Sequence, residues 1–138
     1  MKKLATTATV ILLIIFLIMG CDKYHINRYI GDWDFIVEKG FLYQEKGFIG
    51  IDTIYYSGKI MSGYHERVII IKYTEDDEIG AYVDDDGGLH NSTQCYSGKY
   101  PFGDFSEKNK KVHFGILWDE GQDTQRATQV IGTKKKGR

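Results

Sequence analysis

The chain has 138 residues, with 18 Lys+Arg against 19 Asp+Glu, 14% aromatic residues and two cysteines. That length holds one small domain behind an N-terminal leader. The near-neutral balance excludes the basic surplus that nucleic-acid phosphates demand, and two cysteines exclude a disulfide framework.

The leader comes first. Met1-Lys2-Lys3 is positive, and Val10 to Met19 is an unbroken apolar run of ten residues. That is short of the ~20 apolar residues a membrane-spanning helix needs, so residues 1–20 read as a secretory signal. The stretch Leu17-Ile18-Met19-Gly20-Cys21 resembles the bacterial lipobox, in which the cysteine is acylated and the leader removed before it. The resemblance implies a lipid anchor on Cys21, each chain contributing about 0.8 kcal/mol per buried CH₂. It also implies a place in the cell envelope, on the periplasmic side of the inner or outer membrane or on the cell surface. Residues 21–28 are then a short polar tether, and 29–138 the folded domain. With Cys21 acylated, Cys95 has no disulfide partner and reads as a small half-buried side chain.

The elements after the tether are strands. From Tyr29 to Lys39, Trp33, Phe35 and Val37 alternate with Asp32, Asp34 and Glu38, the period of a half-buried strand. Gly40 to Gly50 has no clean period; it reads as a long mobile loop, as a glycine-punctuated hairpin or as an irregular strand. Ile54, Tyr56, Gly58 and Ile60 share one face of a strand over 52–61. In the strand over 66–74, four successive aliphatics, Val68 to Ile71, hide which face is buried. Ile79, Ala81 and Val83 follow the turn over 75–78, and Asp84-Asp85-Asp86-Gly87-Gly88 is a second turn. Residues 89–100 hold two short strands, with Pro101 marking an edge or loop. Val112, Phe114, Ile116 and Trp118 alternate over 111–118, 119–123 turns the chain, and 125–135 is the last strand. Short strands joined by tight turns, with no helical period over three turns, predict an all-β, antiparallel up-and-down barrel of about eight strands, a form without exposed sheet edges.

Gly31-Asp32-Trp33 opens the first strand and resembles the Gly-x-Trp signature of lipocalins and their calycin relatives. The whole mature chain is similar in outline to small lipocalin-like bacterial lipoproteins, which end in a strand resembling Val130-Ile131-Gly132-Thr133-Lys134-Lys135. The resemblance implies that Trp33 closes one end of the barrel, with Gly31 beside it and Arg126 of the last strand packed across the ring, a cation–π contact of about 0.5–2 kcal/mol. It also places 40–50 where lipocalins carry a mouth-covering loop. The domain is shorter than a typical lipocalin and lacks a C-terminal helix and a second signature motif.

The sequence carries no pattern for catalysis, metal or cofactor. His25, His65, His90 and His113 are scattered without metal-ligand spacing, and Asp84 to Asp86 lack the spaced oxygens and distal Glu of a calcium loop. Ser57, Ser97 and Cys95 have no nucleophile-elbow context, and no glycine loop stands between strand and helix to hold phosphate. Two functions remain. The inward aromatics Trp33, Phe35, Tyr56, Phe114 and Trp118 are the walls either of a site for a small apolar ligand or of a filled core. In the second case the domain is a structural or interaction module, meeting an envelope protein through 40–50, where Phe41, Leu42, Phe48 and Ile49 are the apolar residues to find exposed.

Overall fold

The computed structural model describes residues 7–12, 14, 26–92, 99–106, 108–118 and 124–137. Cys21, Asp22, His25, Cys95 and the turn over 119–123 lie outside the described residues. Residues 7–12 are helical, and among the described residues no helix is long and apolar enough to cross a membrane.

Period-two alternation builds each strand of the domain. The strands are β1 (Gly31–Tyr43), β2 (Gly47–Ser62), β3 (Val68–Lys72), β4 (Glu78–Val83), β5 (Gly88–Asn91), β6 (Lys99–Ser106), β7 (Lys111–Trp118) and β8 (Thr124–Lys134). Each pairs antiparallel with the next, and β8 returns to pair with β1, so the eight strands close into a barrel. The expected all-β up-and-down architecture is the one observed. Trp33, Phe35 and Val37 of β1 and Val112, Phe114 and Ile116 of β7 are all at most 1% exposed, and their polar neighbours face solvent. In β3 the pairing settles what four aliphatics hide: Ile71 lies opposite Ile60 and Ile79, and Ile69 and Ile71 are the fully buried pair.

Residues 40–50 are a hairpin, not a loop. β1 runs on to Tyr43, three residues turn, and β2 begins at Gly47. A β-bulge between Lys39 and Gly40 interrupts the period, which is why the apolar residues here show none. A Cβ on Gly40 would land on the carbonyl oxygen of Ile49, so the bulge requires glycine. Pro101 sits inside β6, in a stretch that β5 does not reach, since β5 pairs only with Gly103 and Asp104.

Closure leaves one edge open. β2 has 16 residues and β3 only 5, and the two pair from Lys59 to Ser62 alone. Among the described residues, the β3 side of Gly47–Ser57 therefore pairs with no strand, although an edgeless barrel is the expectation. Ile51 and Tyr55 on this overhang are 69% and 77% exposed.

The alternation of strand directions gives the barrel two ends. The turns after β2, β4 and β6 lie at the end where β1 starts, called the floor here. The β1–β2 and β3–β4 turns lie at the other end, the mouth.

Candidate binding site in the barrel

The interior is organised in three levels, beginning at the floor. Ile26 to Tyr29 form a turn, with the Tyr29 N–H donating to the Ile26 carbonyl at 2.9 Å. Both end residues are buried in the core cluster, so the packed domain takes in part of the span read as tether. The Tyr29 ring stacks on Phe105 at 3.9 Å between centroids, and Phe105 lies 5.8 Å from Trp33. Trp33 Nε1 donates to the Tyr29 carbonyl at 2.9 Å, which satisfies the one polar atom of the indole. Phe35 stacks above Trp33 at 6.3 Å, in space left by Gly132, where a Cβ would strike the Phe35 ring. Trp33 is thus buried near the end where β1 starts, and Gly31 opens its strand at φ +138°.

The cation over that end is a different one. Arg126 lies opposite Phe41, whereas Trp33 lies opposite Lys134. Because β8 runs antiparallel to β1, a residue early in β8 belongs beside the end of β1, not its start. Arg126 accordingly lies over Trp118, 5.7 Å from the ring centroid, near the mouth. At the floor, Arg28 lies 5.1 Å over the Tyr29 ring, and Lys134 Nζ donates to the Arg28 carbonyl at 2.7 Å.

The middle level is a bridge. β3 and β7 stand on opposite sides of an eight-membered ring, yet Tyr73, one residue past β3, meets Phe114 of β7 edge to face at 6.0 Å. Two rings therefore span the lumen, and below them the barrel is side chain. Tyr73 is 1% exposed, and its hydroxyl oxygen has no hydrogen-bond partner among the described residues. Burial, and secondarily the Asp77 carboxylate, push its pKa far up, so the phenol keeps its proton and is a standing donor. Leaving such a donor unpaired costs about 1–3 kcal/mol.

The mouth is more open. Ile54, Tyr56 and Trp118 are half-buried and pack on the core from above. Lys39 continues the inward face of β1, and its ammonium pairs with Asp77 Oδ2 at 3.1 Å. The pair passes the inner side of β2, because β1 and the β3–β4 turn are not neighbours. Asp77 is itself held in place: its N–H donates to Thr74 Oγ1 at 2.9 Å, and the Thr74 hydroxyl donates back to Oδ2 at 3.2 Å.

The five aromatics read from the sequence are thus divided. Trp33 and Phe35 belong to the floor, Phe114 to the bridge, and Tyr56 and Trp118 to the mouth. Tyr73, Lys39 and Asp77 complete the site and carry no motif. Alternation from Ile69 and Ile71 points to Tyr73 once the face of β3 is known.

The acidic turn is occupied with its own geometry. Asp84 Oδ1 accepts from the Asp86 and Gly88 N–H groups at 2.9 and 2.8 Å, Oδ2 lies 2.7 Å from His90 Nε2, and Asp85 pairs with Arg67 at 2.7 Å. His90 first, and the Gly88 N–H next, hold the Asp84 pKa below its ordinary value. Among the described residues no group of three or more His, Cys, Asp or Glu is placed to hold a metal ion.

No protein-family model matches the chain, and no curated protein matches it.

Proposed function

We propose that this chain is a lipid-anchored protein of a bacterial cell envelope, without enzymatic activity, whose lipocalin-like barrel takes one small, largely apolar ligand into its mouth. The observation that carries the ligand is the Tyr73 hydroxyl, a buried, protonated donor with no partner among the described residues. Buried polar groups in native proteins are normally satisfied, and the exceptions are commonly completed by water, an ion or a ligand. The half-buried rings of Tyr56 and Trp118, packed against the same core, would supply its apolar wall. An eight-stranded barrel has room for its own side chains or one small ligand, and the filled floor restricts the ligand to the outer half. The ligand is then short, with one hydrogen-bond acceptor directed inward.

The test is thermal unfolding of the full-length protein in nanodiscs with straight-chain fatty alcohols and acids of increasing length. A ligand at 100 times its Kd stabilises the folded state by about 2.7 kcal/mol. Short members should raise Tm and long ones should fail, with a smaller rise for Tyr73→Phe. A series in which no member raises Tm would sink the ligand.

The second reading, a solid barrel serving as an interaction module, draws on the β2 overhang. Of the four apolar residues expected to be exposed, Ile49 is, while Phe41, Leu42 and Phe48 are half-buried. Ile51 and Tyr55 extend the apolar strip along an edge that pairs with no strand among the described residues, a geometry that accepts an added strand. If this reading holds, Ile51→Lys with Tyr55→Lys abolishes capture of an envelope protein by crosslinking in membranes.

A further inference from the structure

The floor is where the N-terminal segment enters, and its charges are segregated. Arg28 lies in the entering turn, Lys134 ends β8 with Lys135 and Lys136 just after it, and Lys108 and Lys110 lie in the β6–β7 turn. Backbone and side-chain bonds draw them together. Lys134 Nζ donates to the Arg28 carbonyl at 2.7 Å, and Lys134 N–H donates to the Lys110 carbonyl at 2.8 Å. Beside them an open cleft of about 650 Å³ runs between 30–32 and 134–137. Of the acids at this end, Asp32 and Asp34 lie within the basic arc and Glu107 precedes Lys108 in sequence, whereas the others belong to the turns after β2 and β4, on the far side of the floor. Asp84, Asp85 and Asp86 occupy the β4–β5 turn, where His90 and Arg67 pair with the first two. Glu66 is in the β2–β3 loop, Asp32 lines the cleft, and Asp34 is held by Ser57 and Lys135.

From this segregation we infer that the basic arc of the floor rests on an anionic lipid surface, leaving the acidic turn raised and the mouth facing away from the membrane. The inference rests on the anchored reading above. Cys21 precedes Ile26 by five residues, at most about 18 Å of extended chain. An acylated Cys21 therefore holds the floor within a short distance of the headgroups, and the cations can come inside the ~8 Å Debye length of physiological salt. Each Lys or Arg near an anionic leaflet contributes about fivefold in affinity, so the five cations of the arc other than Lys135, which is paired with Asp34, suffice to orient a tethered domain.

The experiment is amine acetylation of the full-length protein in nanodiscs, read residue by residue by mass spectrometry. Discs of phosphatidylcholine alone are compared with discs containing phosphatidylglycerol. Lys108, Lys110 and Lys136 should be acetylated several-fold more slowly in the anionic discs, with the difference lost at high salt. Lys46, at the β1–β2 turn by the mouth, should react equally in both. Equal labelling of the floor lysines would overturn the inference. Protection by inorganic phosphate in discs without anionic lipid would also overturn it, in favour of a soluble anion in the cleft. Failure of the protein to co-elute with either disc would overturn the anchored reading itself, whereas co-elution with equal labelling overturns only the docking.

Discussion

Tyr73 carries the site because its two halves are in different situations. The ring is packed against Phe114, while the hydroxyl is buried without a partner among the described residues. Tyr73→Phe keeps the ring and removes the unpaired donor, so it should raise ligand-free stability by about 1 kcal/mol in a urea titration. A loss of similar size would mean that the hydroxyl has a partner in the folded protein. The same burial sets a pH dependence. The folded pKa lies above the ordinary 10.0, so the protonated phenol favours the folded state fully below pH 10. Above it, as the unfolded chain ionises first, stability falls by about 1.4 kcal/mol per pH unit for this group, a slope that Tyr73→Phe should lack. Asp84 acts on the acid side. Its folded pKa lies below 3.8, so its contribution is present above that value and is lost as the pH falls through the folded-state value. Asp84→Asn keeps an acceptor for the Gly88 N–H but not the charge toward His90, and its stability should decline less steeply below pH 4 than that of the native protein.

At the scale of elements, the long β1–β2 hairpin does the most to shape the molecule. Its bulge at Gly40 is a point where a side chain has no room. Gly40→Ala should cost several kcal/mol in chemical denaturation, at the upper end of single substitutions, because the obstacle is the Ile49 backbone and not a movable side chain. The hairpin also shows what sequence pattern can and cannot carry. Strands with clean alternation, such as β7 and the first half of β1, were legible nearly to the residue, since period two reports one buried face. The bulge reverses that phase within 40–50, which leaves loop, hairpin and irregular strand undecided in the sequence pattern. The overhang of β2 was not legible either: strand length is local, but which residues find a partner depends on the far shorter β3. Arg126 illustrates the same limit. The resemblance implies a cation over Trp33, whereas the antiparallel return of β8 puts Arg126 over Trp118. Tyr73 lay hidden behind the uniform aliphatic run of β3, whose inward face only the pairing reveals.

At the scale of the whole molecule, the barrel is polarised from end to end. The floor combines a closed aromatic plug, the entry of the N-terminal segment and a basic arc. The mouth combines half-buried rings, an inward ion pair and the Tyr73 donor just beneath. An anchor at Cys21 would set these ends toward and away from a membrane, so that ligand exchange occurs on the aqueous side. The central claim, an acylated chain holding one small ligand, is tested most directly by native mass spectrometry of the full-length protein released from its own membranes. The account predicts a polypeptide beginning at Cys21 with covalently added acyl mass, carrying one non-covalent small molecule that Tyr73→Phe releases at lower collision energy. A polypeptide that begins at Met1 with no added mass, and with nothing bound, would contradict it.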